Sequence, residues 1–225
     1  GLFLGLPTQA TSNAMFQRVR RFMEAFASTP TDIQLVHGGA TLNEDQIQLR
    51  GIGDGGSDTL SASAWFAQRR RPLLSPYGVG TIDQTLLATL NVKHHFVRLM
   101  GLGNRVVVLD EVHAYDTYTS GLIKCLLRWL KAVNASVVLM SATLPASRRK
   151  ELLEAWGAAD GSGVLDTPYP RVMMADSRGL QPPEHFRARA LPSIRVGHLG
   201  VAVEDLATCE INKVDGGGCG AIIVN

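Results

Sequence analysis

The sequence predicts an α/β fold with a mostly parallel central sheet and helices packed on both of its faces. Residues 105–109 and 136–140 are continuous apolar runs, the pattern of strands that are buried on both faces of a sheet. Between them, apolar side chains recur at helical spacing from Leu122 to Leu130. A strand, a helix and a second strand in this order form a parallel unit with a right-handed crossover.

The other elements of the domain follow from the same patterns. Residues 2–6 form a short apolar strand, and apolar side chains then recur at helical spacing from Met15 to Phe26. Residues 33–36 predict a strand that ends in the turn His37-Gly38-Gly39, and Thr41–Glu44 has the pattern of a capping box that opens a short helix. We expect one ordered domain over residues 1–157.

Composition excludes several classes of protein. Apolar residues make up 45% of the 225 and charged residues 19%, so we expect a packed core and not a disordered chain. No apolar run reaches the roughly 18–20 residues of a membrane helix. The net charge of +2 means that any contact with nucleic acid must come from a local groove. Three cysteines without a Cys-x-x-Cys pair and the lack of a signal peptide predict reduced thiols in a cytoplasmic protein.

Two acids, Asp110 and Glu111, come directly after the first buried strand and are followed by Val112 and His113. In open parallel sheets, ligands bind outside the carboxyl ends of the strands. One carboxylate there can hold Mg²⁺, and its neighbour can orient or deprotonate the attacking water in phosphoryl transfer. The alternative is that two acids merely end a strand and face solvent.

The second buried strand ends in Ser141-Ala142-Thr143, which the crossover unit places beside Asp110. Small hydroxyl side chains there can bond to the acids and respond to their state. The alternative is that Thr143 and Pro145 begin the next helix, as a cap and an early proline. Both motifs end a strand of the same crossover unit, and together they indicate a functional site more specifically than either motif does alone.

Hydroxyl-rich residues from Thr8 to Asn13 lie between the first strand and the first helix. The free N–H groups of a helix N-terminus can bind a phosphate there. The alternative is simple capping by Thr11 or Ser12.

A second loop of this kind, Gly78–Gln84, precedes another helical segment. Its glycines permit close approach of a ligand backbone, and Thr81 and Gln84 can donate or accept hydrogen bonds there. The alternative is a turn with Asp83 as the helix cap.

These motifs, in this order, resemble those of the first RecA-like domain of superfamily 2 helicases. Thr8–Thr11 resembles motif Ia, Gly80–Gln84 motif Ic, Asp110–His113 motif II and Ser141–Thr143 motif III. Four segments are similar in sequence to the CRISPR-associated helicase–nuclease of type I interference systems. They are Leu-Pro-Thr-Gln-Ala-Thr, Gly-Val-Gly-Thr-Ile-Asp-Gln, Asp-Glu-Val-His-Ala-Tyr-Asp and Ser-Ala-Thr-Leu-Pro. The resemblance spans residues 1–157.

The resemblance implies a RecA-like three-layer domain and a motor that uses ATP and Mg²⁺ to move 3′ to 5′ on single-stranded DNA. The motor would unwind DNA marked by an RNA-guided surveillance complex, for degradation by a nuclease domain outside this chain. Asp110 would coordinate Mg²⁺–ATP, Glu111 would activate water, and His113 would link the ATP state to neighbouring motifs. Ser141 and Thr143 would couple hydrolysis to movement. The residues implied to contact DNA are Thr8, Gln9, Thr11, Asn13, Gly80, Thr81 and Gln84.

The chain departs from the family pattern because it contains no Gly-x-x-x-x-Gly-Lys-Ser/Thr loop for phosphate. We therefore expect a piece that begins after that loop and is inactive in ATP hydrolysis by itself. Residues 158–215 would be an irregular connection, and 216–225 the start of a second RecA-like domain. Two alternatives stay open, namely a DExH helicase that acts on RNA and a degenerate motor that serves as an interaction module.

Overall fold

The structure is a computed structural model, and it describes residues 1–26, 31–38, 60–61, 71–113, 115–158 and 167–187. Contacts divide the chain into two compact units, Gly1–Phe186 and Arg187–Asn225, and the described helices and strands all lie in the first. The predicted capping box at 41–44 and the predicted strand of a second domain at 216–225 lie outside the described residues.

The predicted parallel sheet is confirmed. Six parallel strands form it within the described residues, in the order β3-β2-β4-β1-β5-β6. Their bounds are β1 Leu2–Leu6, β2 Thr31–Val36, β3 Leu60–Ser61, β4 Tyr77–Thr81, β5 Val106–Leu109 and β6 Ser136–Leu139. The strand–helix–strand unit that the sequence predicts is β5, α4 and β6.

Helices connect the strands on both faces. They are α1 Gln9–Phe26, α2 Ile82–Leu86, α3 His95–Leu102, α4 Thr117–Ala132 and α5 Ala146–Trp156, with a 3-10 turn at Pro72–Leu74. None of these helices is long and apolar enough to cross a membrane. Short antiparallel pairs follow α5: β7 Arg171–Val172 with β10 Glu184–His185, and β8 Ala175–Asp176 with β9 Gly179–Leu180.

Two apolar clusters hold the layers together. The larger cluster joins Phe3, Val107 and Leu109 of the sheet to Leu126 and Leu130 of α4. The smaller cluster packs α1 on the opposite face, and its buried members are Leu6, Phe16, Met23, Ile33, Leu35 and Val79. Each fully buried side chain of this size contributes about 1.5–3 kcal/mol to folding. Phe22 of α1 is exposed, so the apolar set predicted for this helix does not all face the core.

The prediction that β5 and β6 are covered on both faces is wrong. Val106, Val138 and Met140 are exposed by 38%, 45% and 39%. These residues point to the face opposite α4, because side chains alternate along a strand. On that face, α1 contacts β1, β2 and β4, and among the described elements nothing covers the β5–β6 part.

Candidate functional site

The predicted motifs meet at the carboxyl end of the sheet. Asp110 follows β5, and its N–H donates to the Gly5 carbonyl of β1 at 2.9 Å. Ser141 follows β6, whose Leu139 is paired with Leu109 of β5. The residues of motifs II and III therefore lie side by side, as predicted. We call this part of the edge the acidic half; its residues are Asp110, Glu111, His113, Ser141 and Thr143.

Glu111 has a left-handed backbone, with φ of 56°. This conformation costs an L-residue about 1–2 kcal/mol, and such residues are concentrated at functional sites. Hydrogen bonds hold it in place: the Glu111 N–H donates to Asp110 Oδ1 at 2.9 Å, and the Val112 N–H donates to the Met140 carbonyl at 3.1 Å. The turn is thus fixed from β5 and from the end of β6, and both carboxylates stay half-exposed.

Close polar contacts join the two motifs. His113 Nδ1 lies 3.2 Å from Glu111 Oε2 and 3.1 Å from Ser141 Oγ. The Ser141 hydroxyl donates to the Thr143 carbonyl at 3.0 Å, so its oxygen accepts from His113. His113 Nδ1 therefore donates to the Ser141 hydroxyl oxygen, and the Glu111 carboxylate lies beside the same ring nitrogen. The contacts thus run from the Glu111 carboxylate to the end of β6.

Thr143 joins these contacts through its backbone, and its side chain is exposed. The residue that caps α5 is Pro145, which makes no side-chain capping bond. The alternative that Thr143 caps this helix is therefore wrong, because α5 begins two residues later than that alternative requires.

Tyr115 was missed by the sequence reasoning. Its hydroxyl is buried, and within the part of the chain that the structure describes it has no hydrogen-bond partner. Burial raises the pKa of Tyr115 to about 12, together with the negative charges of Asp83, Asp110 and Glu111. A neutral phenol thus borders the acidic half. Tyr115 lies within the segment Asp-Glu-Val-His-Ala-Tyr-Asp, but the position of a residue in that segment does not show where its hydroxyl lies in the fold.

The acidic half suits a magnesium ion that is bound together with phosphate. In the described ranges, no group of three or more His, Cys, Asp or Glu residues could hold a metal. Mg²⁺ keeps several waters and is usually held by one or two carboxylates plus substrate phosphates. The half-exposed Asp110 and Glu111 supply that kind of donor set, and a closed all-protein site does not fit.

The remaining predicted site residues follow β1 or lie at and after the end of β4, and we call them the amide half. They are Thr8, Gln9, Thr11, Asn13, Gly80, Thr81 and Gln84. Because β1 and β4 are parallel neighbours, with Leu6 opposite Thr81, both segments reach the same end of the sheet.

The hydroxyls of Thr8 and Thr11 cap α1 reciprocally. Each side-chain oxygen accepts the backbone N–H of the other residue at 3.2 Å. The Ser12 hydroxyl donates to the Thr8 carbonyl at 2.8 Å. Capping by Thr11 or Ser12 alone is therefore wrong, because Thr8 precedes the helix and Thr11 completes the pair. Both threonines remain exposed at the surface.

Asn13 joins α1 to the end of β2. Its Oδ1 lies 2.8 Å from His37 Nε2, and burial lowers the pKa of His37. Gln9 is exposed on the first turn of the same helix. The predicted turn at His37 thus has a contact with the motif Ia helix that the sequence did not show.

Gly80 and Thr81 are buried, and Gln84 is half-buried. A Cβ at Gly80 would overlap the Val36 carbonyl oxygen, so glycine is needed there for the approach of β2. The residue that caps α2 is Thr81, not Asp83, and it makes no side-chain capping bond. Gln84 Oε1 accepts from Arg98 Nη1 at 3.0 Å. Of the three residues of this loop predicted to contact DNA, Gln84 is the one whose side chain is partly exposed.

Comparison with known proteins decides the relationship. No protein-family model matches the chain. Over 221 residues it is 49% identical to the CRISPR-associated endonuclease/helicase Cas3 of Thermus thermophilus, covering 95% of this chain and 23% of that protein. The chain is a relative of one segment of the Cas3 nuclease/helicases. It is also 35% identical to Cas3 of Streptococcus thermophilus over 242 residues, covering all of this chain and 26% of that protein.

Solved Cas3 structures share the fold. The T. fusca Cas3 crystal structure matches 95% of this chain and 26% of its own with a TM-score of 0.80 and 32% identity. Its complex with ATP matches 96% and 26% with a TM-score of 0.77 and 31% identity. A chain of a CRISPR RNA-guided surveillance complex in a pre-nicking state matches 95% and 23% with a TM-score of 0.62 and 28% identity. The predicted RecA-like α/β class is confirmed, and the chain spans about a quarter of each of these matched chains.

Proposed function

We propose that the chain is part of the ATP-dependent DNA helicase motor of CRISPR type I interference. The observation that carries the proposal is the line of polar contacts from Glu111 through His113 to Ser141, which joins the two half-exposed carboxylates after β5 to the end of β6. The similarity to Cas3 proteins, one of them bound to ATP, supports it.

In this proposal the acidic half performs hydrolysis. Bound Mg²⁺–ATP would supply the phosphoryl group, with Asp110 as the protein ligand of the metal. Glu111 would accept a proton from the attacking water. The water oxygen would bond to the terminal phosphorus of ATP while the bond between that phosphorus and the ADP oxygen breaks. His113 would pass the change in the Glu111 charge to Ser141. Thr143 would move with Ser141, because the two are hydrogen-bonded.

The amide half would contact single-stranded DNA. Hydroxyl and amide side chains commonly donate to phosphate oxygens, and such contacts position a protein without reading bases. Among the predicted residues, the exposed ones, Thr8, Gln9 and Thr11, and the half-buried Asn13 and Gln84 are the candidates for direct contact. Gly80 and Thr81 would act by shaping the loop.

The partner would be an RNA-guided surveillance complex in the cytoplasm. The similarity to a chain in such a complex supports this assignment. A nuclease domain outside this chain would degrade the unwound DNA. By itself the chain would not hydrolyse ATP, because its sequence has no phosphate-binding loop.

The test is ATP hydrolysis by a full-length protein that contains this chain, with single-stranded DNA, with RNA of the same sequence, or with neither. The proposal expects DNA to raise the turnover and RNA to leave it near the basal rate. Stimulation by RNA instead would favour a helicase that acts on RNA. No ATP turnover under any condition would favour an interaction module.

A further inference from the structure

Arg98 of α3 is a half-buried cation whose hydrogen bonds to described residues all go to Gln84. Its Nη1 donates to Gln84 Oε1 at 3.0 Å and to the Gln84 carbonyl oxygen at 3.4 Å. Burial lowers the pKa of Arg98. Over the ranges that the structure describes, no carboxylate lies within ion-pair distance of it. A half-buried charge is normally paired, so a neutral amide as its partner calls for an explanation.

The contact fixes which end of the Gln84 amide faces Arg98. A guanidinium only donates hydrogen bonds, so the amide atom that meets it must be the oxygen. The NH₂ group of Gln84 then points away from Arg98. An amide that could otherwise turn either end to a ligand is thus held as a donor.

We propose that Arg98 is a positioning residue that holds the Gln84 NH₂ group toward a phosphate of the nucleic-acid backbone. The ligand chemistry follows from the orientation: an amide held as a donor suits an anionic oxygen, which accepts hydrogen bonds. Arg98 itself acts through Gln84 and does not contact the phosphate. This inference rests on the proposed function.

The experiment is a double-mutant cycle on the full-length protein. Its readout is the dissociation constant for a labelled oligo-dT single strand, measured with Gln84→Ala, Arg98→Met and the double variant. Methionine keeps the apolar stem of Arg98 but removes the donors. Each single variant is expected to weaken binding about tenfold, as for the loss of one hydrogen bond to a charged group, and the double variant no further. Arg98→Lys, which can still donate to Oε1, should restore part of the affinity.

Gln84→Glu separates positioning from a purely structural role. A carboxylate at this position gives Arg98 a counter-ion and removes the NH₂ donor. Thermal unfolding should shift to a higher temperature while DNA binding weakens at least as much as with Gln84→Ala. If the contact only ties α2 to α3, Gln84→Glu leaves DNA binding unchanged.

The double-mutant cycle can also overturn the inference in three ways. One is Arg98→Met binding DNA as wild type does, and another is single losses that multiply in the double variant, which would mean independent contacts. The third is Gln84→Ala binding as wild type does while DNA still stimulates ATP turnover; the motor assignment then survives and the inference does not. If the wild-type protein neither binds DNA nor responds to it, the proposed function fails as well.

Discussion

The two halves of the carboxyl edge are built differently. In the acidic half, side chains and backbone from two neighbouring strand ends contact one another, and Glu111, His113 and Ser141 form one connected set. In the amide half, the contacts form separate pairs: Thr8 with Thr11, Asn13 with His37, and Gln84 with Arg98. Substitutions within one connected set of contacts have non-additive effects, whereas substitutions in separate contacts have additive effects. The comparison therefore predicts which variants are additive.

The largest effect is expected for Glu111→Gln in the acidic half. The amide keeps the shape of the side chain but cannot accept the proton from water, so DNA-stimulated ATP turnover should fall by about 10²-fold or more. Glu24→Gln, on the solvent side of α1, is the matched control and should hydrolyse ATP as wild type does. Turnover within about tenfold of wild type would remove Glu111 from the role of base.

A smaller effect is expected from His113→Ala and Ser141→Ala. Each single variant should lower DNA-stimulated turnover by about tenfold. The double variant should be no slower than the slower of the two single variants. This non-additivity corresponds to a coupling free energy of about 1.4 kcal/mol between His113 and Ser141. His95→Ala serves as the control, since the His95 ring contacts the nearby Val92 carbonyl. Losses that multiply would break the comparison, because they would show two separate contributions in the acidic half.

Thr8→Ala should destabilise the chain by about 1 kcal/mol, because it removes the acceptor of the Thr11 N–H at the start of α1. Urea unfolding of this chain measures the change, and Gln9→Ala, on the exposed first turn, should stay within about 0.5 kcal/mol of wild type. Equal effects of the two substitutions would mean that the reciprocal cap does not stabilise the helix.

The smallest effect concerns Tyr115, which lies between Asp83 of α2 and the acidic half. Its pKa is raised to about 12, so the neutral phenol stabilises the fold below its ordinary pKa of 10.0, and this contribution is lost as the pH rises from there to about 12. Over this pH range the free energy of unfolding should fall in both proteins, but on the order of 1 kcal/mol less in Tyr115→Phe than in wild type. This figure allows for solvent screening, because the group is only half-buried. Tyr118→Phe, at an exposed position, is the control and should follow the wild-type curve. Identical curves for wild type and Tyr115→Phe would show that the phenol gains nothing from its site.

Much of this architecture could be predicted from the sequence. Continuous apolar runs predicted β5 and β6, helical spacing predicted α1 and α4, and the crossover rule placed Ser141 beside Asp110. These features depend on local pattern and on the handedness of the chain, which a sequence carries.

The rest depends on neighbours that pattern does not specify. The exposure of Val138 is set by which elements cover that face, and an apolar run does not reveal this. The left-handed backbone of Glu111 is held by bonds to Asp110 and Met140, and only the second comes from another strand. Arg98 lies fourteen residues after Gln84, in a different helix, so no motif spacing joins them.

The most direct test of the division into two halves is ATP turnover measured against the concentration of single-stranded DNA in the full-length protein. We expect Gln84→Ala to raise the DNA concentration needed for half-maximal stimulation by about tenfold, with the plateau kept within about twofold. We expect His113→Ala to lower the plateau and leave that concentration unchanged. The reverse assignment, or both variants lowering the plateau alike, would contradict the account.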